Sequence, residues 1–80
     1  MSRTILRTPA VIKRRGTSRS AHYADVKAGL FVKPVAIGLR ARGTPEDEVD
    51  ALIAATIAGK SDDDKRALVR QLEAARKTAK

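Results

Sequence analysis

The side chains of this chain that are best suited to chemistry are cations, and they are unevenly distributed. Residues 1–43 hold ten Lys or Arg against the single acid Asp25, a net charge of +9. Residues 44–80 hold seven basic and eight acidic residues, a net charge of −1. An even spread of charge would favour only solubility, whereas this split predicts that one part of the molecule binds a polyanion. Nucleic acid is the polyanion that we expect.

No arrangement of residues typical of an enzyme accompanies these cations. The chain has no cysteine and a single histidine, which excludes disulfides, thiolate zinc sites and metal sites of ordinary spacing. Ser, Asp and Glu are frequent but form no nucleophile–base pattern. The acids at 46–48 and 62–64 are explained by favourable positions at helix N-termini. We therefore expect no enzymatic activity, no cofactor and no metal.

The length of the chain predicts one small domain with an aliphatic core. Eighty residues bury only about 60% of their unfolded surface, and aromatic residues make up 2% of the chain. The scarcity of aromatic rings argues against single-strand binding, which stacks bases on exposed rings. No apolar stretch approaches the roughly 20 residues of a membrane span, and no hydrophobic signal core begins the chain. We expect a cytoplasmic protein with no membrane partner.

The first cations lie on a predicted strand and helix. The segment formed by residues 4–7 is short and contains β-branched residues, which favours a strand. Thr8 is then predicted as an N-cap with Pro9 at the first helical position, and the helix runs to about Arg15 before Gly16. Its last turn is basic, which either complements the helix dipole or attracts the polyanion.

A second short helix is predicted from Arg19 to Ala28. Thr17 or Ser18 caps its start, and Gly29 ends it. Two short helices joined by three residues have the spacing of a helix-turn-helix, although this spacing alone occurs in many helical proteins.

Val35 and Ile37 lie two residues apart and would share one face of a strand, so residues 32–43 are predicted to form a β-hairpin. Gly38 is expected to supply its turn, with Arg40 and Arg42 sharing one face of the return strand. A basic hairpin that directly follows a helix-turn-helix is typical of the wing of a winged helix.

Two further helices are predicted after the hairpin. Thr44 as N-cap and Pro45 as first residue begin one that lasts until Gly59, and Ser61 begins a final helix over residues 62–79. Two interpretations of the final helix remain open, because its apolar stripe would either close the core or contact a neighbouring protomer or an integrase.

The ordered set of these features resembles a known family. The chain is similar to the AlpA-type prophage regulators and the related excisionases, also called recombination directionality factors, over about residues 4–58. The matching residues are Ile5-Leu6-Arg7, Pro9-Ala10-Val11, Ser18-Arg19-Ser20, Tyr23, Gly29, Phe31, Lys33-Pro34-Val35, Gly38, Arg40-Ala41, Gly43 and Glu48-Val49-Asp50-Ala51. No single element is specific, whereas the order of the whole set is.

The resemblance implies a mainly α fold with a small β-hairpin wing. It would be a winged helix-turn-helix of the MerR and excisionase type over residues 1–60, followed by a C-terminal helix, residues 61–80, for packing or oligomerisation. It implies a bacterial or phage protein that binds double-stranded DNA at the nucleoid. Several copies would associate cooperatively, bend attachment-site DNA and help a tyrosine or other site-specific integrase excise a mobile element.

The predicted DNA contacts follow from the same pattern. In a helix-turn-helix the start of the second helix enters the major groove, while wing arginines reach the minor groove or its phosphates. The residues that we expect to contact DNA are Ser18, Arg19, Ser20, His22, Tyr23, Lys27, Lys33, Arg40 and Arg42.

The second helix also departs from the family pattern. Family members usually carry apolar residues at His22 and Asp25, often a basic residue at Ala24, and commonly an aromatic residue at Thr44. His22 could pair with Asp25 three residues later, a structural role that we favour over a catalytic one because no partner nucleophile is visible. One interpretation of the helix keeps the family orientation. In the other the helix is rotated, so that Ala21, Ala24 and Ala28 pack inward while His22, Tyr23 and Lys27 face outward. Tyr23 is as consistent with the core as with DNA contact.

Two other functions remain open. A transcriptional regulator of mobile-element genes would make the same DNA contacts. A protein-interaction module, such as an antirepressor or antiactivator, would reuse the fold if the polar substitutions in the second helix prevent base recognition.

Overall fold

A computed structural model describes residues 4–78 of the protein, which form four helices and three short strands. The elements in chain order are β1 (Ile5–Arg7), α1 (Thr8–Arg15), α2 (Arg19–Ala28), β2 (Val35–Ala36), β3 (Arg42–Pro45), α3 (Glu46–Ile57) and α4 (Asp62–Thr78). The prediction of a mainly helical domain with a small sheet is confirmed. No helix within the described residues is long and apolar enough to cross a membrane.

Local signals determine where α1 ends and where α2 begins and ends. Gly16 adopts a φ of 69° and its N–H donates to the carbonyls of Ile12 and Lys13, which ends α1. The Ser18 hydroxyl then accepts the Ala21 N–H at 3.1 Å and caps α2. Gly29, with a φ of 79°, ends α2. Both glycines occupy a left-handed conformation that a side chain would disfavour, so the predicted bounds of α2 are confirmed.

The sheet includes the strand at the start of the described chain. Strand β3 lies in the middle, and β1 and β2 pair with it in antiparallel fashion. Thr44 pairs with Leu6 and Pro45 pairs with Ile5, so the prediction that Thr44 and Pro45 begin a helix is wrong. Helix α3 begins one residue later at Glu46, whose N–H donates to the Thr4 carbonyl at 2.7 Å.

The same pairing corrects the predicted start of α1. Strand β1 continues to Arg7, which lies opposite Gly43, and the helix follows without a break. Thr8 is therefore the first residue of the helix rather than its N-cap, and the residue at the cap position, Arg7, makes no side-chain capping bond.

The hairpin between β2 and β3 is confirmed, but its tip is longer than expected. Residues 37–41 form the tip, which the Ile37 N–H closes by donating to the Ala41 carbonyl at 2.9 Å. Gly38 lies in this tip without a positive φ. Arg40 also lies in the tip, so the prediction that Arg40 and Arg42 share the return strand is wrong. Leu39, which lies between Gly38 and Arg40 in the tip, is fully exposed.

The core is formed by residues of α1, of α3, of α4 and of the segment that follows α2. Its buried members are Val11, Phe31, Val32, Val49, Leu52 and Val69, with Leu68 and Leu72 of α4 packed against them. Because Val69 belongs to α4, the C-terminal helix helps to close the core, as one of its two interpretations predicted.

A buried ion pair joins the start of α3 to the end of α4. Glu48, in the first turn of α3, is 1% exposed, and both of its carboxylate oxygens accept hydrogen bonds from Arg76 near the end of α4. Removing one partner of a buried pair leaves an uncompensated charge, which is strongly destabilising. The contact therefore holds α4 in one register against α3.

A side chain at Gly43 is expected to disrupt the sheet. A Cβ there would lie 2.6 Å from Ile5 Cγ2 and 2.8 Å from the Leu6 carbonyl oxygen, which is backbone and cannot turn aside. We expect Gly43→Ala to lower the free energy of unfolding by about 1–3 kcal/mol, as overpacking does. Chemical denaturation measures this change.

Gly38→Ala is the matched control for this substitution. Its Cβ would lie 3.8 Å from the Ala41 Cβ, an ordinary contact at the hairpin tip. The free energy of unfolding should change by less than about 0.5 kcal/mol. Equal effects of the two substitutions would contradict the close packing of β1 against β3.

Candidate nucleic-acid interface

The orientation of α2 depends on a cation supplied by α1. Arg15, largely buried, donates to His22 Nδ1 at 2.9 Å and to Asp25 Oδ2 at 2.6 Å. Its guanidinium carbon also lies 4.4 Å from the centroid of the Phe31 ring, a cation–π distance. These contacts turn the His22 and Asp25 side of α2 towards α1 and the core.

His22 is therefore a core residue, and its predicted role in contacting DNA is wrong. It is 3% exposed, and its ring packs edge-on against Phe31 with the centroids 5.2 Å apart. A guanidinium has no acceptor, so Nδ1 must accept from Arg15 and the ring is neutral, with its proton on Nε2. Burial lowers the pKa of His22 below 6.5, the nearby Arg15 charge lowers it further, and Asp25 opposes the shift.

The rotated orientation of α2 is wrong as well. Ala21, Ala24 and Ala28 are exposed rather than packed inward, whereas Val26 packs against the core. Polarity misled the prediction because the polar residues His22 and Asp25 share one buried cation.

The outward side of α2 carries cations and hydroxyl groups without an acid. Asp25 is the only acidic residue of the helix, and it is bonded to Arg15. Tyr23 is 48% exposed, and its ring contacts His22 with the centroids 5.5 Å apart, so it lies at the edge of this side. The exposed polar residues of α2 and its cap, which we call the recognition face, are Ser18, Arg19, Ser20, Tyr23 and Lys27.

Three of the predicted cations lie outside α2. Arg40 in the hairpin tip and Arg42 at the start of β3 are exposed, as is Lys33 in the segment between α2 and β2. The side chains of these residues have no hydrogen-bonding or ionic partner within residues 4–78. Their charges are therefore available to an external anion.

Other cations of the basic half serve the fold. Arg14 lies 3.0 Å from Glu46 and 3.1 Å from Asp50, so it joins α1 to the start of α3. Arg15 is occupied by α2. The basic last turn of α1 thus has two members that pair with specific acids, beyond any effect on the helix dipole.

Sequence reasoning missed two arginines of α4. Arg66 and Arg70 line a cleft beside the C-terminal end of α2, together with Lys27 and Lys33. The spacing of four residues, which places both on one side of a helix, was the available signal. It could not indicate that this side lies next to α2.

A groove of about 350 Å³, which we call the apolar groove, opens beside the Arg15–Asp25 pair. Its lining includes the apolar residues Leu30, Phe31, Leu52, Ile53 and Ile57 and the charged residues Arg15, Asp25 and Lys65. Ile57 is 81% exposed. Within residues 4–78 no three His, Asp or Glu side chains come together to hold a metal ion.

Comparison of the chain with protein-family models, with curated proteins and with solved structures finds no match.

The buried neutral His22 predicts a pH dependence of stability. Because folding lowers its pKa, the unfolded chain binds the proton more readily, and the free energy of unfolding should fall as the pH drops below about 6.5. The contribution is fully present above the unfolded pKa and is lost as the pH falls through the folded pKa. Denaturation curves between pH 5 and 8 measure it.

His22→Asn is the comparison, because its amide oxygen can still accept from Arg15 but does not titrate. The chain has one histidine, so the difference between the two stability curves reports this group alone. The variant should lose most of the slope near pH 6. An unchanged slope would show that His22 is not held neutral in the folded protein.

Proposed function

We propose that this protein is a sequence-specific double-stranded DNA-binding protein with a winged helix-turn-helix. In this proposal α2 is the recognition helix and the β2–β3 hairpin is the wing. The observation that carries the proposal is the recognition face, which bears Arg19 and Lys27 while Asp25, the only acid of the helix, is bonded to Arg15. A surface of this kind attracts phosphates and places an arginine where it can bind a base.

The dimensions of α2 support entry into DNA. The ten residues of α2 make a helix about 15 Å long. The major groove is about 12 Å wide, which is enough to admit the width of one helix. Arg19 in the first turn can bond both acceptors of a guanine. The Ser18 oxygen caps the helix, while its hydroxyl hydrogen remains able to donate to a phosphate. Ser20 and Tyr23 offer further hydroxyl groups on the same side.

The hairpin supports a contact with the minor groove. Arg40 and Arg42 are exposed near a tip whose apolar residue Leu39 is fully exposed. Proteins that bend DNA use arginines in the minor groove and insert apolar side chains between base steps. This combination supports a bending role, whose elastic cost of about 1–6 kcal/mol several cooperating copies would offset.

We infer from this role that the protein acts as an excisionase. Copies on adjacent sites would bend attachment-site DNA and assist a site-specific integrase in excising a mobile element. Regulation of mobile-element genes uses the same DNA contacts and differs only in the output.

The apolar groove favours a second candidate function, a protein-interaction module. An exposed Ile57 beside Leu30 and Ile53 could contact an apolar segment of another protein. Such a module would not need the free cations of the recognition face, and its association would depend little on salt. Salt dependence therefore separates the two functions.

The affinity for duplex DNA should fall steeply with salt. Four exposed cations that we assign to phosphates, Lys27, Lys33, Arg40 and Arg42, predict a slope of log K against log salt of about −3.6 or steeper if each neutralises one phosphate. Gel-shift titrations with duplexes selected from a random-sequence pool measure it. Absence of duplex binding, or a slope near zero, would contradict DNA binding.

Two substitutions separate base recognition from phosphate contact. Arg19→Ala should reduce the preference for a selected over a random duplex by about tenfold or more, since an arginine–guanine pair contributes about 1–3 kcal/mol of discrimination. Arg40→Ala should weaken binding to both duplexes by the same factor. Lys60→Ala, which removes an exposed charge between α3 and α4, is the control and should change neither.

A further inference from the structure

The surface between α2 and α4 contains a basic cleft of about 380 Å³. Its cations come from three separate parts of the chain: Lys27 from α2, Lys33 from the segment that follows, and Arg66 and Arg70 from α4. The single acid that lines it is Glu73. The cleft thus combines residues of the strongly basic half with residues of the nearly neutral half.

Backbone contacts fix the walls of the basic cleft. Arg66 Nε donates to the Ala28 carbonyl at 3.1 Å, which attaches α4 to the end of α2. Glu73 Oε2 accepts the Lys33 N–H at 2.9 Å, which attaches α4 to the next segment. Val69, between these two residues on α4, is buried in the core. The cations are therefore presented by elements that are already held together.

The charge of the basic cleft is not balanced from within. Four cations face one carboxylate, which is bonded to a backbone N–H. Arg66 is also 3.5 Å from Asp63, whose side chain is almost fully exposed, so water and salt screen this pair. The side chains of Lys27, Lys33 and Arg70 have no ionic partner within residues 4–78. Like charges gathered around one cleft repel each other, and an anion would relieve this repulsion.

The shape and position of the cleft favour a phosphate of a nucleic-acid backbone. Lys27 belongs both to the recognition face and to the cleft, so a strand that runs along the major groove would pass from one to the other. Arg70 is exposed and has no ionic partner among residues 4–78, and a guanidinium binds phosphate through two parallel hydrogen bonds.

We propose that the basic cleft binds a backbone phosphate of the DNA duplex and that α4 is a third DNA-contacting element, beside α2 and the hairpin. This inference rests on the proposed function. It assigns to Arg70 a role in binding that neither its position in the nearly neutral half nor the family resemblance provides.

The test compares Arg70→Gln with Lys60→Gln in the full chain. Both remove one exposed positive charge, but Lys60 lies outside the cleft. With the selected duplex, Arg70→Gln should make the slope of log K against log salt less negative by about 0.9, the value for one phosphate contact. Lys60→Gln should leave the slope unchanged. Thermal unfolding of both variants checks that they remain folded.

The outcomes distinguish failure of the cleft from failure of the proposed function. If Arg19→Ala weakens binding but Arg70→Gln leaves the slope unchanged, the cleft is not a contact and DNA binding stands. Equal changes for Arg70→Gln and Lys60→Gln would also overturn the cleft, because they indicate only a general effect of net charge. If the unaltered protein binds no duplex, both proposals fail.

A titration with inorganic phosphate identifies the source of the anion. Signals of the Arg70 and Lys33 side chains, followed by NMR, should shift on addition of the duplex at concentrations at which inorganic phosphate has no effect. Shifts caused by inorganic phosphate and not by the duplex would overturn the proposal, since the cleft would then be a site for a free anion.

Discussion

The contacts of the Arg15 guanidinium determine which residues of α2 lie on the surface of this protein. It bonds His22 and Asp25 on α2 and lies over Phe31, which belongs to the core. Without it, α2 would leave the half-buried Asp25 carboxylate without its partner, or would turn to expose His22 and Asp25. Buried ionic groups often contribute little net stability, but in some proteins they select one arrangement among several. Here the arrangement selected is the one in which Arg19 and Lys27 face outward.

The two halves of the chain differ in net charge and in how their charged side chains pair within the fold. In the basic half, Arg14 and Arg15 pair with acids, and only the exposed cations remain for an external anion. In the other half, Glu48 and Arg76 neutralise each other in the interior and fix α4. The division is not complete, since Arg66 and Arg70 of α4 lie beside α2. The distribution of charge along the sequence therefore indicates only approximately which surface is basic, and the packing of the helices decides which cations belong to it.

The elements that local chemistry controls could be predicted from the sequence. The serine cap at Ser18 and the glycines at Gly16 and Gly29 act on neighbouring residues, and the bounds of α2 were accordingly correct. Features that depend on distant partners could not be predicted. Thr44 and Pro45 have the appearance of a helix start, but pairing with β1 draws them into a strand.

The candidate site shows the same limit. The inward side of α2 depends on Arg15, which lies seven residues before His22 and ten before Asp25, outside the helix that it orients. Arg19, Lys27, Lys33, Arg40 and Arg42 are exposed, as contact with DNA would require, because charged side chains without a partner are rarely buried. Arg70 was missed because its neighbours come from a segment about forty residues away, as the contact between Lys33 and Glu73 illustrates.

The most direct test of the account is an NMR map of the backbone amides during titration with the selected duplex. We predict the largest shifts in residues 18–27 and 39–42, further shifts around the basic cleft at Lys33 and residues 66–70, and smaller shifts around the apolar groove. Shifts confined to the groove near Ile53 and Ile57, or no shifts at all, would contradict the proposal that α2 and the hairpin bind DNA.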